Sequence, residues 1–222
     1  MKLAVAVLTY NRQELFLRTL HSIQEGLCQA WAIEHDLTVV DNGSTDGTAE
    51  LVRGLEGGYA NVDGNRTVGH GMNLAITRAL ASKPDLVLFT ADDYEYKPGW
   101  ASKLARFWWW APPEVALVCC NLEPDYDWNR PHQVVASAGI LGLARESLPG
   151  SNWCFRASEW PLIGPLAETT GGEDLAVCRR LRRPGRLLCA LDLSEHIGER
   201  QSAWGNGSWR YARLLDRGAW GI

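Results

Sequence analysis

Short, β-branched apolar runs alternate with amphipathic segments along the first half of the chain. Residues 3–9 (LAVAVLT) and 37–41 (LTVVD) have the length and composition of buried strands, and a third such run begins at Leu86 (LVLFTADD). The segments between these runs carry leucine and isoleucine at helical spacing. Repeated strand-helix-strand units predict an α/β fold built on a parallel, doubly wound sheet.

The chain has 222 residues, of which 46% are hydrophobic, and this is enough for one full-sized domain with its own core. In the second half the sequence predicts a tryptophan-rich helix at 99–110, a strand at 114–120, a loop at 121–132 and a last helix at 171–183. Neither a linker nor an internal repeat divides the chain. We therefore expect a single domain, residues 1–222, whose second half is less regular than its first.

Charge and cysteine content narrow the function classes. The net charge of −4 gives no global attraction to nucleic acid or anionic lipid. The arginine-rich segment 178–186 (CRRLRRPGR) fits either a local basic patch or a solvated helix end. There is no apolar run of about 18 residues, so no membrane span is expected. The six cysteines lack metal-ligand spacing, which favours reduced thiols and a cytoplasmic protein.

Polar side chains follow the predicted strands of the first half where each strand ends. Thr9 ends the first strand, Asp41 ends the second, and Asp92 and Asp93 follow the third. In open parallel sheets, ligands bind in the crevice at the carboxyl ends of the strands, beside helix N-termini. We therefore expect these side chains to share one crevice.

The adjacent acids Asp92 and Asp93 allow two interpretations. In the first, one of them caps the turn toward YEYKPG. In the second, the pair holds a divalent ion that keeps several waters and binds substrate phosphates. Two carboxylates this close raise each other's pKa unless a cation lies beside them, and Mg²⁺ or Mn²⁺ would supply that cation.

A second acidic pair, Glu173 and Asp174, follows two glycines in the segment GGED. The pair falls in the first turn of the last predicted helix, where the helix dipole favours ionised carboxylates. A routine acidic cap and a general base are both consistent with this pattern.

Five segments, taken in order, resemble the family 2 glycosyltransferases with the GT-A fold. They are LAVAVLTYNR, VVDNGSTDGT, VGHGMNLAI, LFTADD and GGEDLAVCRRL, and they span residues 3–183. Members of this family transfer a sugar from a nucleotide diphosphate to an acceptor. The resemblance implies a GT-A, Rossmann-like fold in which residues 1–95 bind the nucleotide sugar and residues 96–222 bind the acceptor.

The resemblance also assigns individual residues to nucleotide-sugar binding: Thr9, Tyr10, Arg12, Asp41, Gly69, Asn73 and Asp92. Asp41 matches the acid that accepts a hydrogen bond from the base, uracil in many relatives, so a UDP-sugar is the expected donor. Asp93 is the implied ligand of Mn²⁺ or Mg²⁺, and His196 matches a further metal or diphosphate ligand. Ala91 stands where the family motif has an acid, which leaves the register of that motif open.

For the chemistry, the resemblance implies an inverting transfer in which Asp174 is the general base and Glu173 orients the acceptor or a neighbouring side chain. A divalent ion would offset the charge that develops on the leaving diphosphate. The acceptor stays open between a glycan, free or lipid-linked, a protein, and a hydroxymethylated base in DNA, which some bacteriophage enzymes modify.

Two other function classes fit the residues less well. A nucleotidyltransferase shares strand-end acids and a metal, but it predicts a loop rich in glycine and basic residues after the first strand, and LTYNRQELF is no such loop. A non-catalytic nucleotide-sugar-binding module gives no reason for GGED to accompany ADD.

The eleven tryptophans exceed what a core of this size needs. Residues 108–110 are consecutive tryptophans on a predicted helix, so at least one of them should be poorly buried. Trp153, Trp204 and Trp209 lie in segments expected to face the acceptor. Two roles remain open for these tryptophans. They could stack on a sugar ring, or they could fill the core and form a homodimer interface.

Overall fold

The structure is a computed structural model that describes residues 1–61, 63–122, 133–146, 148, 150–169 and 171–198. Trp204, Trp209 and most of the loop expected at 121–132 lie outside the described residues. Within them, no helix is both long enough and apolar enough to cross a bilayer. No disulfide joins the six cysteines, each of which lies in the described part of the chain.

Strands and helices alternate through the first half of the chain, as the sequence predicts. The strands are β1 (Lys2–Thr9), β2 (Glu34–Asp41), β3 (Gly58–Ala60), β4 (Leu86–Ala91), β5 (Tyr94–Tyr96), β6 (Val115–Asn121), β7 (Val134–Ser137), β8 (Ile140–Arg145), β9 (Asn152–Arg156) and β10 (Leu187–His196). The helices are α1 (Gln13–Cys28), α2 (Thr48–Arg53), α3 (Val68–Leu80), α4 (Trp100–Trp110), α5 (Trp160–Ile163) and α6 (Glu173–Leu181), with one 3-10 turn at Ala157–Glu159.

One sheet contains all ten of these strands, in the order β3-β2-β1-β4-β9-β6-β10-β8-β7, with β5 pairing β10. The pairs β2–β3, β1–β2 and β1–β4 are parallel, and so is β6–β10. Strand β9 runs antiparallel to both β4 and β6 and joins the two parallel groups. The α/β fold class is therefore confirmed, with its parallel strands concentrated in the first half.

Helix α2 is short and stops before a glycine-rich stretch of the sequence. It ends at Arg53, and the chain then turns at Gly57, whose φ of 78° is in the left-handed region that favours glycine. A Cβ on the next residue, Gly58, would lie 1.8 Å from the carbonyl oxygen of Val52. Glycine at both positions lets the chain fold back directly into β3.

Helices cover both faces of the sheet and bury two apolar clusters. Helices α1 and α4 pack on one face, and α3 and α6 pack on the other. Among the consecutive tryptophans of α4, Trp108 is buried, whereas Trp109 and Trp110 are 65% and 68% exposed, as the helical spacing predicts. Trp153, expected on the acceptor side, instead lies fully buried on β9 between β4 and β6.

Candidate active site

Asp92 lies directly after β4 and is held by the last residue of β1 and the residue that follows it. Its Oδ2 accepts hydrogen bonds from the Thr9 hydroxyl at 2.7 Å and the Tyr10 N–H at 3.2 Å. The parallel register, which pairs Leu8 with Ala91, brings these side chains together. Because Asp92 is buried and Asp93 is beside it, burial and then the neighbouring charge raise the pKa of Asp92 to about 6.

Asp93 contacts the side chains of Arg12 and His196. Its Oδ2 accepts a hydrogen bond from Arg12 Nη1 at 2.5 Å and lies 3.2 Å from His196 Nε2. Burial alone would raise the pKa of Asp93, but His196 and then Arg12 outweigh burial and bring that pKa below its usual range. The other carboxylate oxygen, Oδ1, is buried and has no hydrogen-bond partner in the described part of the chain.

Arg12 is the cation that the two acids share. Its Nη1 lies 3.3 Å from Asp92 Oδ1 as well as 2.5 Å from Asp93 Oδ2, and its side chain is mostly buried. Adjacent buried carboxylates repel each other strongly without such a partner. In this structure the guanidinium therefore supplies the charge that keeps the acid pair together.

The donor set around Asp93 suits a hard divalent ion. Among the described residues, no three His, Cys, Asp or Glu side chains are already arranged as a metal site. However, the unpartnered Oδ1 of Asp93 and the imidazole of His196 are oxygen and nitrogen donors beside one another. Magnesium and manganese sites often use one or two protein carboxylates and take further oxygens from water and substrate phosphates. The residues present therefore fit such an ion.

Asp41 lies beside Thr9 in the register of β1 and β2. Its carboxylate accepts hydrogen bonds from the Gly43 N–H at 3.2 Å and from the Ser44 N–H at 3.1 Å, and the side chain is fully buried. These bonds close the turn after β2. Thr9, Asp41 and the acid pair thus share the edge expected from the sequence, with Asp41 covered by its own turn.

Glu173 and Asp174 form the first turn of α6, as the sequence predicts. Gly171 and Gly172, with φ of 104° and 88°, turn the chain into this helix. Glu173 Oε1 accepts a hydrogen bond from the Gly171 N–H at 2.8 Å, and Asp174 Oδ1 accepts one from the Leu175 N–H at 2.8 Å. Burial raises the pKa of both carboxyl groups above the usual range.

A short segment before β9 connects the acid pair to Asp174. A Cβ on Gly150 would lie 2.9 Å from the Asp174 Cβ, so this glycine lets the acid approach the backbone. The next residue, Ser151, accepts a hydrogen bond from the Ala91 N–H at 2.8 Å through its carbonyl, and its hydroxyl lies 2.9 Å from the Tyr94 hydroxyl. Gly150 and Ser151 thus link Asp174 to the end of β4.

Sequence reasoning missed Ser151 and Tyr94. The position of Tyr94, immediately after the acid pair, was an available signal. Ser151 had none, because its place beside Ala91 depends on β9 pairing with β4 across more than sixty residues of sequence.

Gly69 and Asn73, which the resemblance assigns to the nucleoside, contact another part of the protein. Both lie on α3 and bind the backbone of residues 166–169. His70, between them, lies 3.2 Å from a carboxylate oxygen of Glu168.

The arginine-rich segment at the end of α6 is largely occupied by internal contacts. Arg186 binds Glu159 through two nitrogens, at 2.7 and 3.1 Å. Arg180 donates to the Ile163 carbonyl at 2.7 Å, and Arg182 lies 3.4 Å from Glu146. Three of these arginines therefore make contacts within the fold around α5 and α6.

Solved structures with a similar fold are nucleotide-sugar enzymes. A mannosyltransferase from Pyrobaculum calidifontis, solved with GDP-Man and Mn²⁺, is 23% identical, with a TM-score of 0.64 over 96% of this chain and 60% of its own. GalNAc-T7, solved with UDP, GalNAc and Mn²⁺, is 13% identical, with a TM-score of 0.64 over 97% of this chain and 48% of its own. The chain thus spans about half to three fifths of the length of these two enzymes.

A third similar structure is a Drosophila β-1,4-galactosyltransferase 7 mutant, solved with manganese, UDP-Gal and xylobiose. It is 14% identical, with a TM-score of 0.56 over 90% of this chain and 71% of its own. No curated protein matches the sequence significantly. Among protein families, glycosyl transferase family 2 matches residues 4–151, which is two thirds of the chain. The acid pair, the strand-end threonine and the turn at Asp41 all fall within that match, and the chain belongs to glycosyl transferase family 2.

Proposed function

We propose that this protein transfers a sugar from a nucleotide diphosphate sugar to an acceptor hydroxyl, with inversion at the anomeric carbon. One observation carries the proposal. Gly150 lies against Asp174, and its neighbour Ser151 binds the N–H of Ala91, the residue before the buried acid pair, so one short segment links Asp174 to the end of β4. Arg12 and a bound ion would compensate the charge of a diphosphate at this edge, and Asp174 would act on a hydroxyl as a base.

The donor binds through residues of the first half. Thr9 and Tyr10 fix Asp92, which would accept hydrogen bonds from the ribose, and Arg12 would offer its guanidinium to the diphosphate. The structures with GDP-Man, UDP and UDP-Gal support a nucleotide diphosphate sugar as the donor class.

Asp93 and His196 would hold Mn²⁺ or Mg²⁺. When bound, the ion would offset the negative charge that develops on the leaving diphosphate. In this structure Arg12 forms an ion pair with one oxygen of the Asp93 carboxylate. Binding of the donor and the ion must therefore rearrange this ion pair. Three of the similar structures contain manganese, which supports this assignment.

Asp174 removes the proton of the acceptor hydroxyl. As its oxygen forms a bond to the anomeric carbon, the bond from that carbon to the diphosphate oxygen breaks and its electron pair leaves with the nucleotide. The raised pKa of Asp174 brings it closer to neutral pH and makes the carboxylate a better base than a solvated aspartate. Glu173, one residue earlier, holds the Gly171 N–H and thereby fixes the turn that presents Asp174.

Asp41 would select the base of the nucleotide. Uracil and guanine each carry a ring N–H that can donate a hydrogen bond to a carboxylate, whereas adenine has no such ring N–H. The carboxylate is covered by residues 43–44, so this contact requires the turn to open. A UDP-sugar is the proposed donor, and a GDP-sugar is the next alternative.

A glycan hydroxyl is the proposed acceptor, and a hydroxymethylated DNA base is the alternative. The internal pairing of Arg180, Arg182 and Arg186 favours the glycan, because these cations are engaged within the fold. DNA binding depends on phosphate contacts from available basic side chains.

A donor screen tests the proposal. The purified protein with Mn²⁺ is incubated with UDP-glucose, UDP-galactose, UDP-N-acetylglucosamine or GDP-mannose, and nucleotide release is measured with water, a panel of free glycans or hydroxymethylated DNA as acceptor. We expect release from one donor, stimulation by a glycan, and a product anomer opposite to that of the donor. Retained configuration would contradict the single displacement. Pyrophosphate release from nucleoside triphosphates, without release from any nucleotide sugar, would instead support a nucleotidyltransferase.

A further inference from the structure

Asn73 binds the backbone of Leu166 through both ends of its amide. Its Nδ2 donates to the Leu166 carbonyl at 2.9 Å, and its Oδ1 accepts from the Leu166 N–H at 2.8 Å. Leu166 is itself buried in the apolar cluster under α3 and α6. A paired contact of this kind fixes both the position and the orientation of the backbone at Leu166, since the two bonds restrain the peptide units on either side of that residue.

Gly69, one turn earlier on α3, lies against the same segment. Its N–H donates to the Thr169 carbonyl at 3.3 Å. A Cβ at this position would lie 2.0 Å from the Ala167 carbonyl oxygen, so any side chain would push the segment away. The helix therefore contacts residues 166–169 at both ends, from Leu166 to Thr169.

This segment leads directly to Asp174. Residue Gly171 follows it closely, and its N–H is bound by Glu173. On the far side, Arg180 of α6 donates to the carbonyls of Ile163 at 2.7 Å and Pro165 at 3.3 Å. The approach to α6 is thus bound by α3 on one side and by α6 itself on the other.

We propose that Asn73 and Gly69 are positioning residues, which fix segment 166–169 and through it the place of Asp174. This inference rests on the role of Asp174 under the proposed function. It gives α3, a helix of the donor half, control over the geometry of the base. Neither residue needs to contact the nucleotide for this role.

The loss of Asn73 has a local consequence. Asn73→Ala removes the partners of a buried N–H and a buried carbonyl, and such groups are costly to leave unsatisfied. The segment can restore them only by opening to water. Asn73→Asp keeps an acceptor for the Leu166 N–H but puts a carboxylate oxygen against the Leu166 carbonyl. We expect it to release the segment as well.

Hydrogen exchange and kinetics together test the proposal. Amide exchange is followed by mass spectrometry in the wild type, Asn73→Ala, Asn73→Asp and Gly69→Ala, without substrate. Asn65→Ala is the matched control, because Asn65 is an exposed asparagine just before α3 whose hydrogen bond runs to Asn42. Peptides covering 166–169 should exchange about tenfold faster or more in Asn73→Ala, Asn73→Asp and Gly69→Ala than in the wild type. In the control, Asn65→Ala, their exchange rate should not change.

Turnover in these three variants should fall by about tenfold or more, while the Kd of the donor nucleotide stays within about threefold of the wild type. Unchanged exchange at 166–169 would overturn the proposal, and so would a loss of nucleotide affinity as large as the loss of turnover. If Asn73→Ala does not fold, Gly69→Ala and Asn73→Asp carry the same comparison. Faster exchange in a protein that transfers no sugar would refute the proposed function and leave the restraint on segment 166–169 in place.

Discussion

The two halves of the sheet position their polar residues by different means. In the first half, Thr9, Asp41 and Asp92 each end or follow a parallel strand, and the register of β1 with β2 and β4 sets them side by side. In the second half, Asp174 lies at the start of a helix that follows a nine-residue approach from Gly164 to Gly172. Contacts with α3, with Arg180 and with Gly150 fix its place.

Under the proposed function, this difference separates binding from chemistry. Donor recognition would depend on backbone pairing in the core of the sheet, which opens only with the whole fold. The base would depend on a few side-chain contacts to a loop. Substitutions in the first half should therefore act mainly on donor affinity, and substitutions near Asp174 should act mainly on turnover.

The largest expected effect is that of Asp174→Asn, which keeps the shape of the side chain and removes the base. Turnover should fall by about two orders of magnitude or more, because general base catalysis contributes typically 10²–10⁴-fold. Donor affinity should stay within about threefold. Steady-state transfer rates and calorimetric nucleotide titration measure the two quantities. Near-normal turnover would remove Asp174 from the role of base.

Asp41→Ala should have the opposite effect, lowering donor affinity more than turnover. We expect donor affinity to fall by about tenfold, the equivalent of about 1.4 kcal/mol, which is close to the lower end of the values for a hydrogen bond to a charged group. Turnover at saturating donor should change less. The turn at residues 43–44 loses its acceptor as well, so the melting temperature should drop. Equal losses for nucleotides that the protein uses and nucleotides that it ignores would assign Asp41 to the turn alone.

The pH profile sharpens the comparison further. Burial raises the pKa of Asp174, and only the ionised carboxylate can accept the proton. The value of kcat/KM should therefore rise with pH through that raised pKa, and the acid limb should lie above the usual range of aspartate. The profile is measured at fixed Mn²⁺ from pH 4.5 to 8. An acid limb at the ordinary aspartate value would contradict an unsolvated base.

The smallest effect is expected at the exposed tryptophans. Trp110 ends α4 just before Val115, which pairs with Leu187 at the start of β10, whereas the site lies at the other end of β10, beside His196. Trp109→Ser and Trp110→Ser should leave transfer rates unchanged and alter the free energy of unfolding by about 0.5 kcal/mol or less. A marked loss of transfer to a glycan would place these side chains at the acceptor.

The sequence predicted the first half of the fold and of the site well, because parallel strands leave a strong local signal. Three apolar runs with polar ends were enough to place Thr9, Asp41 and the acid pair at one edge. The antiparallel strands β7, β8 and β9 were not predicted. They are short, and β9 pairs with β4 without a connecting hairpin that the sequence could indicate.

The same reason explains what was missed in the site. The contact of His196 with Asp93 depends on the pairing of β10 with β5, and the contact of Asn73 with Leu166 joins residues 93 positions apart. Periodicity and strand-end rules describe neighbours in sequence and cannot give such contacts. The resemblance to a family supplied the role of His196, whereas the partner of Asn73 required the structure.

The most direct test of the account is calorimetric titration of UDP, with GDP as the alternative nucleotide, into the wild type and Asp93→Ala, in Mn²⁺ and in EDTA. Asp93 has an unpartnered buried oxygen that would bind the ion, so the wild type should bind the nucleotide in Mn²⁺ and lose at least about tenfold in affinity in EDTA. Asp93→Ala should bind weakly in both conditions, with its circular dichroism unchanged. Equal affinity of the two proteins in Mn²⁺, or a wild-type affinity that EDTA does not change, would contradict a metal-assisted donor site at the end of β4.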